Sequence, residues 1–128
     1  MQHWIAKFQN AFRGLYFGVR GQSSFAVHLP VAFAVLGLAM WMDCSWWQLC
    51  VIGLCIGLVL ALELVNSAIE TLAKALCQEH NELVGRALDM ASAAVLLASL
   101  VAAAIGLTIV SIQFFHSPTT AGYVQESE

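Results

Sequence analysis

Apolar and polar positions alternate on a helical period at the start of the chain and then give way to three long apolar runs. Between His3 and Arg20, the residues Trp4, Phe8, Ala11, Phe12, Leu15 and Val19 recur at helical spacing, while Lys7, Asn10 and Arg13 fall on another face. An aromatic stripe with basic residues on its flank predicts a helix lying in a membrane interface. A soluble helix packed on a core would show the same stripe, but the rest of the chain offers no soluble core to receive it. Residues 21–42 carry no charge and are long enough to span a bilayer, with Pro30 near the start. Gln22, Ser23, Ser24 and His28 make the first turns of this run polar and read as plain helix-start chemistry. Asp43–Cys44–Ser45 is a tight break, and Trp46–Trp47 after it resembles an aromatic belt.

The second apolar run starts at Trp46 and continues through Glu63 towards Ala75, and the third is uncharged from Met90 to Phe115. Predicted spans therefore cover about 24–42, 46–75 and 89–115. His80 to Arg86 forms a polar connection, with Gly85 as its turn or cap residue. Asp89 is expected at the opening of the third span, where a carboxylate suits the positive end of the helix dipole. Gly53, Gly57 and Ala61, and again Ala94, Ala98, Ala102 and Gly106, repeat every four residues. Such stripes let helices approach closely in lipid. The fold class is an all-α integral membrane protein: residues 1–20 an amphipathic interfacial helix, 21–115 a three-span core, and 116–128 a polar, acidic, mobile tail.

Composition strengthens the membrane reading. The chain is 60% hydrophobic and 10% charged, against about 25% charged in soluble domains. No short apolar run ends in a small-residue cleavage site near the N-terminus, so no signal peptide is predicted. Cys44, Cys50, Cys55 and Cys77 form no CxxC pair and no zinc-like cluster with histidine, and read as packing residues. Lys7, Arg13 and Arg20 precede the first span, and Lys74 and Arg86 lie between the second and third. The positive-inside rule then places the N-terminus and the second loop in the cytoplasm and the C-terminus outside.

Chemistry concentrates in ELVNSAIE, Glu63 to Glu70. Glu63, Asn66 and Glu70 stand at i, i+3 and i+7 and share one helix face, opposite Leu64, Ile69 and Leu72. Glu63 lies about 24 Å along the helix from Trp47, and Glu70 about 10 Å further. Glu63 is thus inside the bilayer near its far side, with Glu70 at the edge. An ionisable group at that depth costs at least ~2.5–3.5 kcal/mol and marks a functional site; a solvated helix end would not confine its polar groups to one stripe. Glu70 can hold Mg²⁺, which takes one or two carboxylates and shares its other positions with water and phosphate oxygens. Glu63, deeper and partly desolvated, suits a general base for a lipid hydroxyl, and Asn66 can hydrogen-bond either carboxylate. Neither GxxxxGK(S/T) nor GxGxxG is present, which excludes the standard nucleotide folds. Nothing points to nucleic acid.

ELVNSAIE, followed by NELVGRALDMASAAVLLA, resembles the signature stretches of the small prokaryotic membrane lipid kinases, comprising diacylglycerol kinase and undecaprenol kinase. NAFRGL, GQSSFAVHL and WMD are similar more weakly, and the resemblance covers about residues 7–112. It implies a homotrimer in the bacterial cytoplasmic (inner) membrane, with active sites shared between protomers. It implies ATP as phosphoryl donor, a membrane lipid alcohol as acceptor and Mg²⁺ as cofactor. By the same resemblance Glu63 is the base, also beside the lipid, and Glu70 and Gln22 stand at metal positions. Asn10, Gln22, Asn66, Glu70, Glu79, His80, Asn81 and Asp89 correspond to nucleotide positions, and Trp41 and Ser92 to positions near the lipid.

Four residues depart from the family pattern. Gln22 stands where a second metal-binding glutamate is common, Leu88 where a lysine precedes the aspartate, Lys74 where an aspartate is usual and Asn81 where a histidine is usual. Lys74 and Arg86 are the two candidates for the missing cation. The implied reaction is ATP-dependent phosphorylation of diacylglycerol to phosphatidic acid. The alternatives are undecaprenol as acceptor, and a catalytically weak homologue that binds lipid or serves assembly. A small transporter built on Glu63 would not account for Glu70 and Asp89.

Overall fold

The computed structural model describes residues 2–21, 24–77 and 79–116. It is all-helical: α1 (Gln2–Gly21), α2 (Phe25–Trp41), α3 (Trp46–Leu76) and α4 (Glu82–His116). α3 is the spine. α4 makes the most extensive contact with it, α2 a smaller one, and α1, at 99° to α2, touches α3 and α2. α3 and α4 are each long and apolar enough to cross a membrane; α1 and α2 pass the same test as one bent pair. α2 alone has 17 residues, about 25 Å, slightly less than the ~30 Å hydrocarbon core. Residues 117–128 and Gln22 lie outside the described residues.

The corner between α2 and α3 explains why the chain reverses there. The Cys44 N–H donates to Ala39 O at 3.1 Å and the Asp43 N–H to Met40 O at 3.2 Å, which is the paired bonding of a Schellman cap. Asp43 takes the left-handed position, with φ 53°. Ser45 starts α3 by donating its N–H to Gln48 Oε1 at 2.7 Å and its hydroxyl to the same oxygen at 2.8 Å. Across the molecule, Gln113 Nε2 on α4 donates to Met42 O at 2.9 Å. Ala39, Cys44, Ile52 and Ile109 form the buried core directly beneath.

Two expectations need correction. α4 begins at Glu82, so Asp89 is two turns inside the helix, and Glu82 is the acidic residue of the first turn. Gly85 is likewise helical and caps nothing. The reason is Asn81, whose Oδ1 accepts the N–H groups of Leu83 (2.9 Å) and Val84 (3.3 Å) and so starts the helix early.

Elsewhere in α3 and α4, large apolar side chains such as Leu54, Leu58, Leu97 and Leu107 remain exposed. The positions of Gly53 and Gly57 face open space in the single chain. Ala102 and Gly106 instead line a groove between α2, α3 and α4. The stripe of α1, Trp4, Phe8, Phe12 and Leu15, is exposed as well.

Candidate active site

The polar stripe of α3 is its buried face. Glu63 is 3% exposed, Asn66 7% and Ser67 4%, while Val65 and Leu72 on the apolar side are more than half exposed. A single soluble domain would bury the opposite set. Asn66 Nδ2 donates to Glu70 Oε1 at 3.0 Å, so the amide settles on the outer carboxylate. Its Oδ1 and the Ser67 hydroxyl are buried without partners among the described residues. Buried polar atoms are nearly always paired, so two orphans one turn from Glu63 mark a place that expects a ligand, an ion or water.

Glu70 is the boundary between interior and surface. Its side chain is 31% exposed and its Oε2 lies 3.7 Å from the ammonium of Lys74, itself 75% exposed. Beyond it opens a cavity of about 360 Å³, lined by Glu70, Lys74, Glu79, His80, Asn81 and Leu88 among others. Four residues expected at the nucleotide therefore meet around one hollow. Asn81 lines it while its Oδ1 is engaged in starting α4. Val84 and Gly85 in the first turn of α4 also line the hollow, with the N–H groups of Leu83, Val84 and Gly85 already bonded to Asn81.

On the inner side, His28 of α2 approaches Glu63, with Nε2 4.0 Å from Oε2. Sequence reasoning treated His28 as part of a polar helix start. Its contact depends on how α2 packs against α3, and nothing in its own neighbourhood in the chain signals that. His28 also stands at one end of the groove between α2, α3 and α4, a volume of about 470 Å³ walled chiefly by Val, Leu, Ile and Ala side chains.

The other expected residues are dispersed. Asp89 and Ser92 are exposed on α4, outside the 360 Å³ hollow, and Asn10 is exposed on α1. Trp41 is 81% exposed at the end of α2 remote from His28, about 20 Å along the helix. Gln22, expected at the metal and the nucleotide, lies outside the described residues. Lys74 and Leu88 line the hollow and Arg86 does not, which separates the two candidate cations. No group of three potential metal-ligating side chains occurs among the described residues. An ion that keeps most of its waters and uses phosphate oxygens does not need one. Glu70 and the orphaned Asn66 Oδ1 are oxygen donors of the required kind.

Comparison with known proteins gives this arrangement a lineage. Residues 9–110 match the model of a family described as prokaryotic diacylglycerol kinase. An undecaprenol kinase of Bacillus subtilis is 31% identical over 109 residues, which is 85% of this chain and 89% of that protein. A diacylglycerol kinase of Escherichia coli is 40% identical over 74 residues, 58% of this chain and 60% of that protein. A diacylglycerol kinase of Haemophilus influenzae is 29% identical over 115 residues, 90% of this chain and 95% of that protein.

Proposed function

The chain belongs to the prokaryotic diacylglycerol kinase family, and on that footing we propose that it transfers the γ-phosphoryl group of ATP to a membrane lipid alcohol, with diacylglycerol as the acceptor. One observation carries the reading. A buried carboxylate, Glu63, sits about 10 Å along one helix from a half-buried one, Glu70, which borders a polar hollow at the helix end. The first can meet a hydroxyl from the lipid side and the second a nucleotide from water. Phosphoryl transfer asks mainly for positioning and charge neutralisation, which a small helical assembly can supply.

In this mechanism the triphosphate enters the hollow beside Lys74, His80 and the Asn81 amide. Lys74 stands in for the lysine that Leu88 replaces. Glu70, with Asn66 Oδ1 and Gln22 as neutral oxygens, would hold Mg²⁺, which when bound offsets charge on the phosphate oxygens. Glu63 accepts the proton of the lipid hydroxyl. Asn66, between the two carboxylates on one helix face, holds Glu70 through its Nδ2 amide.

Asn10, Asp89 and Ser92 are exposed in a single chain and reach no site of their own. A homotrimer gives them one: each would complete the site of a neighbour, as would Trp41 at the lipid. The empty space at Gly53 and Gly57 suits close helix approach between protomers. In the same reading α1 lies on the cytoplasmic membrane surface, α2 crosses with its flanking residues as a third span, and the N-terminus is cytoplasmic.

Undecaprenol remains the second acceptor, because the likeness to the Bacillus subtilis undecaprenol kinase extends over more of the chain. Purified protein given ATP and Mg²⁺ with dioleoylglycerol and with undecaprenol in parallel should phosphorylate dioleoylglycerol the faster. Faster transfer to undecaprenol would exchange the two readings. No transfer to either would leave a lipid-binding homologue.

A further inference from the structure

Glu63 makes no hydrogen bond among the described residues, yet His28 stands with Nε2 4.0 Å from its Oε2. That separation is too long for a hydrogen bond. It is the right separation for two groups that share a third. An oxygen 2.8 Å from each atom would see them at about 90°, an angle that the donor and acceptor directions of one hydroxyl can span. The chemistry of the pair matches. A carboxylate only accepts, and a neutral imidazole with its proton on Nε2 donates.

The surroundings indicate what carries that hydroxyl. His28 is 28% exposed through its side chain and Glu63 4%, so a ligand reaches the pair from the histidine side. His28 is also the polar end of the apolar groove that continues past Val35, Val59 and Ile105 towards Cys44. A molecule with its hydroxyl between His28 and Glu63 would lie with apolar bulk against that wall.

We propose that His28 is a catalytic residue that binds the acceptor: its Nε2–H donates to the oxygen of a long-chain alcohol whose proton faces Glu63. This rests on the lipid-kinase reading above. In the step, the alcohol O–H bond breaks and its proton passes to Glu63. The alcohol oxygen bonds to the γ-phosphorus of ATP, and the bond from that phosphorus to the β,γ-bridging oxygen breaks, its electron pair leaving with ADP. A loose transition state needs little push from the nucleophile, so holding the oxygen in place is what a second contact contributes. A structural role for His28, merely filling space beside Glu63, makes a different forecast.

The experiment compares His28→Leu, His28→Gln and the parent in mixed micelles with dioleoylglycerol and with undecaprenol. His28→Leu should lose 10- to 100-fold in kcat/KM for the lipid while its KM for ATP stays within twofold. His28→Gln, which retains an N–H donor, should recover to within about fivefold of the parent, and a space-filling role would favour leucine at least as well. If the leucine protein does not assemble, the parent decides alone. Its His28 Nε2 resonance, assigned by its loss in His28→Gln, should shift with a dialkylglycerol and not with the analogue lacking the free hydroxyl. Equal kinetics for parent and His28→Leu, or equal shifts with both lipids, would overturn the role of His28. A parent that phosphorylates neither lipid would overturn the kinase reading itself, and this inference with it.

Discussion

The two ends of α3 are built on opposite principles. At the Trp46 end, the turn bonds itself twice, Ser45 and Gln48 complete the helix start, and Gln113 reaches across from α4 to a carbonyl of the corner. The buried core collects beneath it. At the Glu70 end, Asn66 Oδ1 and the Ser67 hydroxyl are buried without partners among the described residues, and His28 and Glu63 stand 4.0 Å apart. A chain able to satisfy its polar groups at one end has left them open at the other. The open end is where a substrate can complete the bonding, and the closed end holds the helices in register while it does so.

Substitutions should separate the ends. Glu63→Gln should have the largest effect, lowering phosphoryl transfer at least a thousandfold, about 4 kcal/mol, with ATP binding retained; near-parental transfer would refute Glu63 as base. Asn66→Ala comes next. By releasing Glu70 from its hydrogen bond it should raise the Mg²⁺ concentration needed for half activity by 10- to 100-fold, read from activity against Mg²⁺. Leu88→Lys puts a cation into the hollow and should lower the KM for ATP severalfold, whereas Lys74→Ala should raise it. At the closed end, Gln113→Leu should leave kcat and both KM values alone and cost about 0.5–1.5 kcal/mol of stability, measured by thermal unfolding in detergent. Asp43→Gly should be the smallest effect and the one of opposite sign. Relief of the left-handed position should raise stability by about 0.5–1 kcal/mol. Kinetic changes of comparable size at both ends would dissolve the distinction.

The sequence made the polar stripe legible because it lies within one helix. A spacing of three and seven places Glu63, Asn66 and Glu70 together whatever the rest of the chain does, and the Asn66–Glu70 bond shows it. The corner at Asp43 was equally local. The start of α4 differs from the expected one because hydropathy marks where an apolar run begins, whereas the helix begins where Asn81 satisfies the first N–H groups. His28 is the clearest omission. A lone histidine near a helix start carries no local mark of its partner 35 positions away. Asn10, Asp89 and Ser92, read from resemblance, stay scattered over one chain, and local spacing carries no mark of what they would meet.

The corner at Asp43 also bears on the order in which the protein is made. Its bonds within the hairpin join residues between Leu38 and Gln48, so it is complete as soon as that segment has left the ribosome. Chains emerge N-terminal first at about 5–20 residues per second. α2 and α3 can therefore form this corner some seconds before Gln113 exists. α4 arrives last and fastens itself to a carbonyl already in place, 71 residues behind it. A stalled or truncated chain ending before Gln113 would keep the bonds of the corner and lack the clasp from α4.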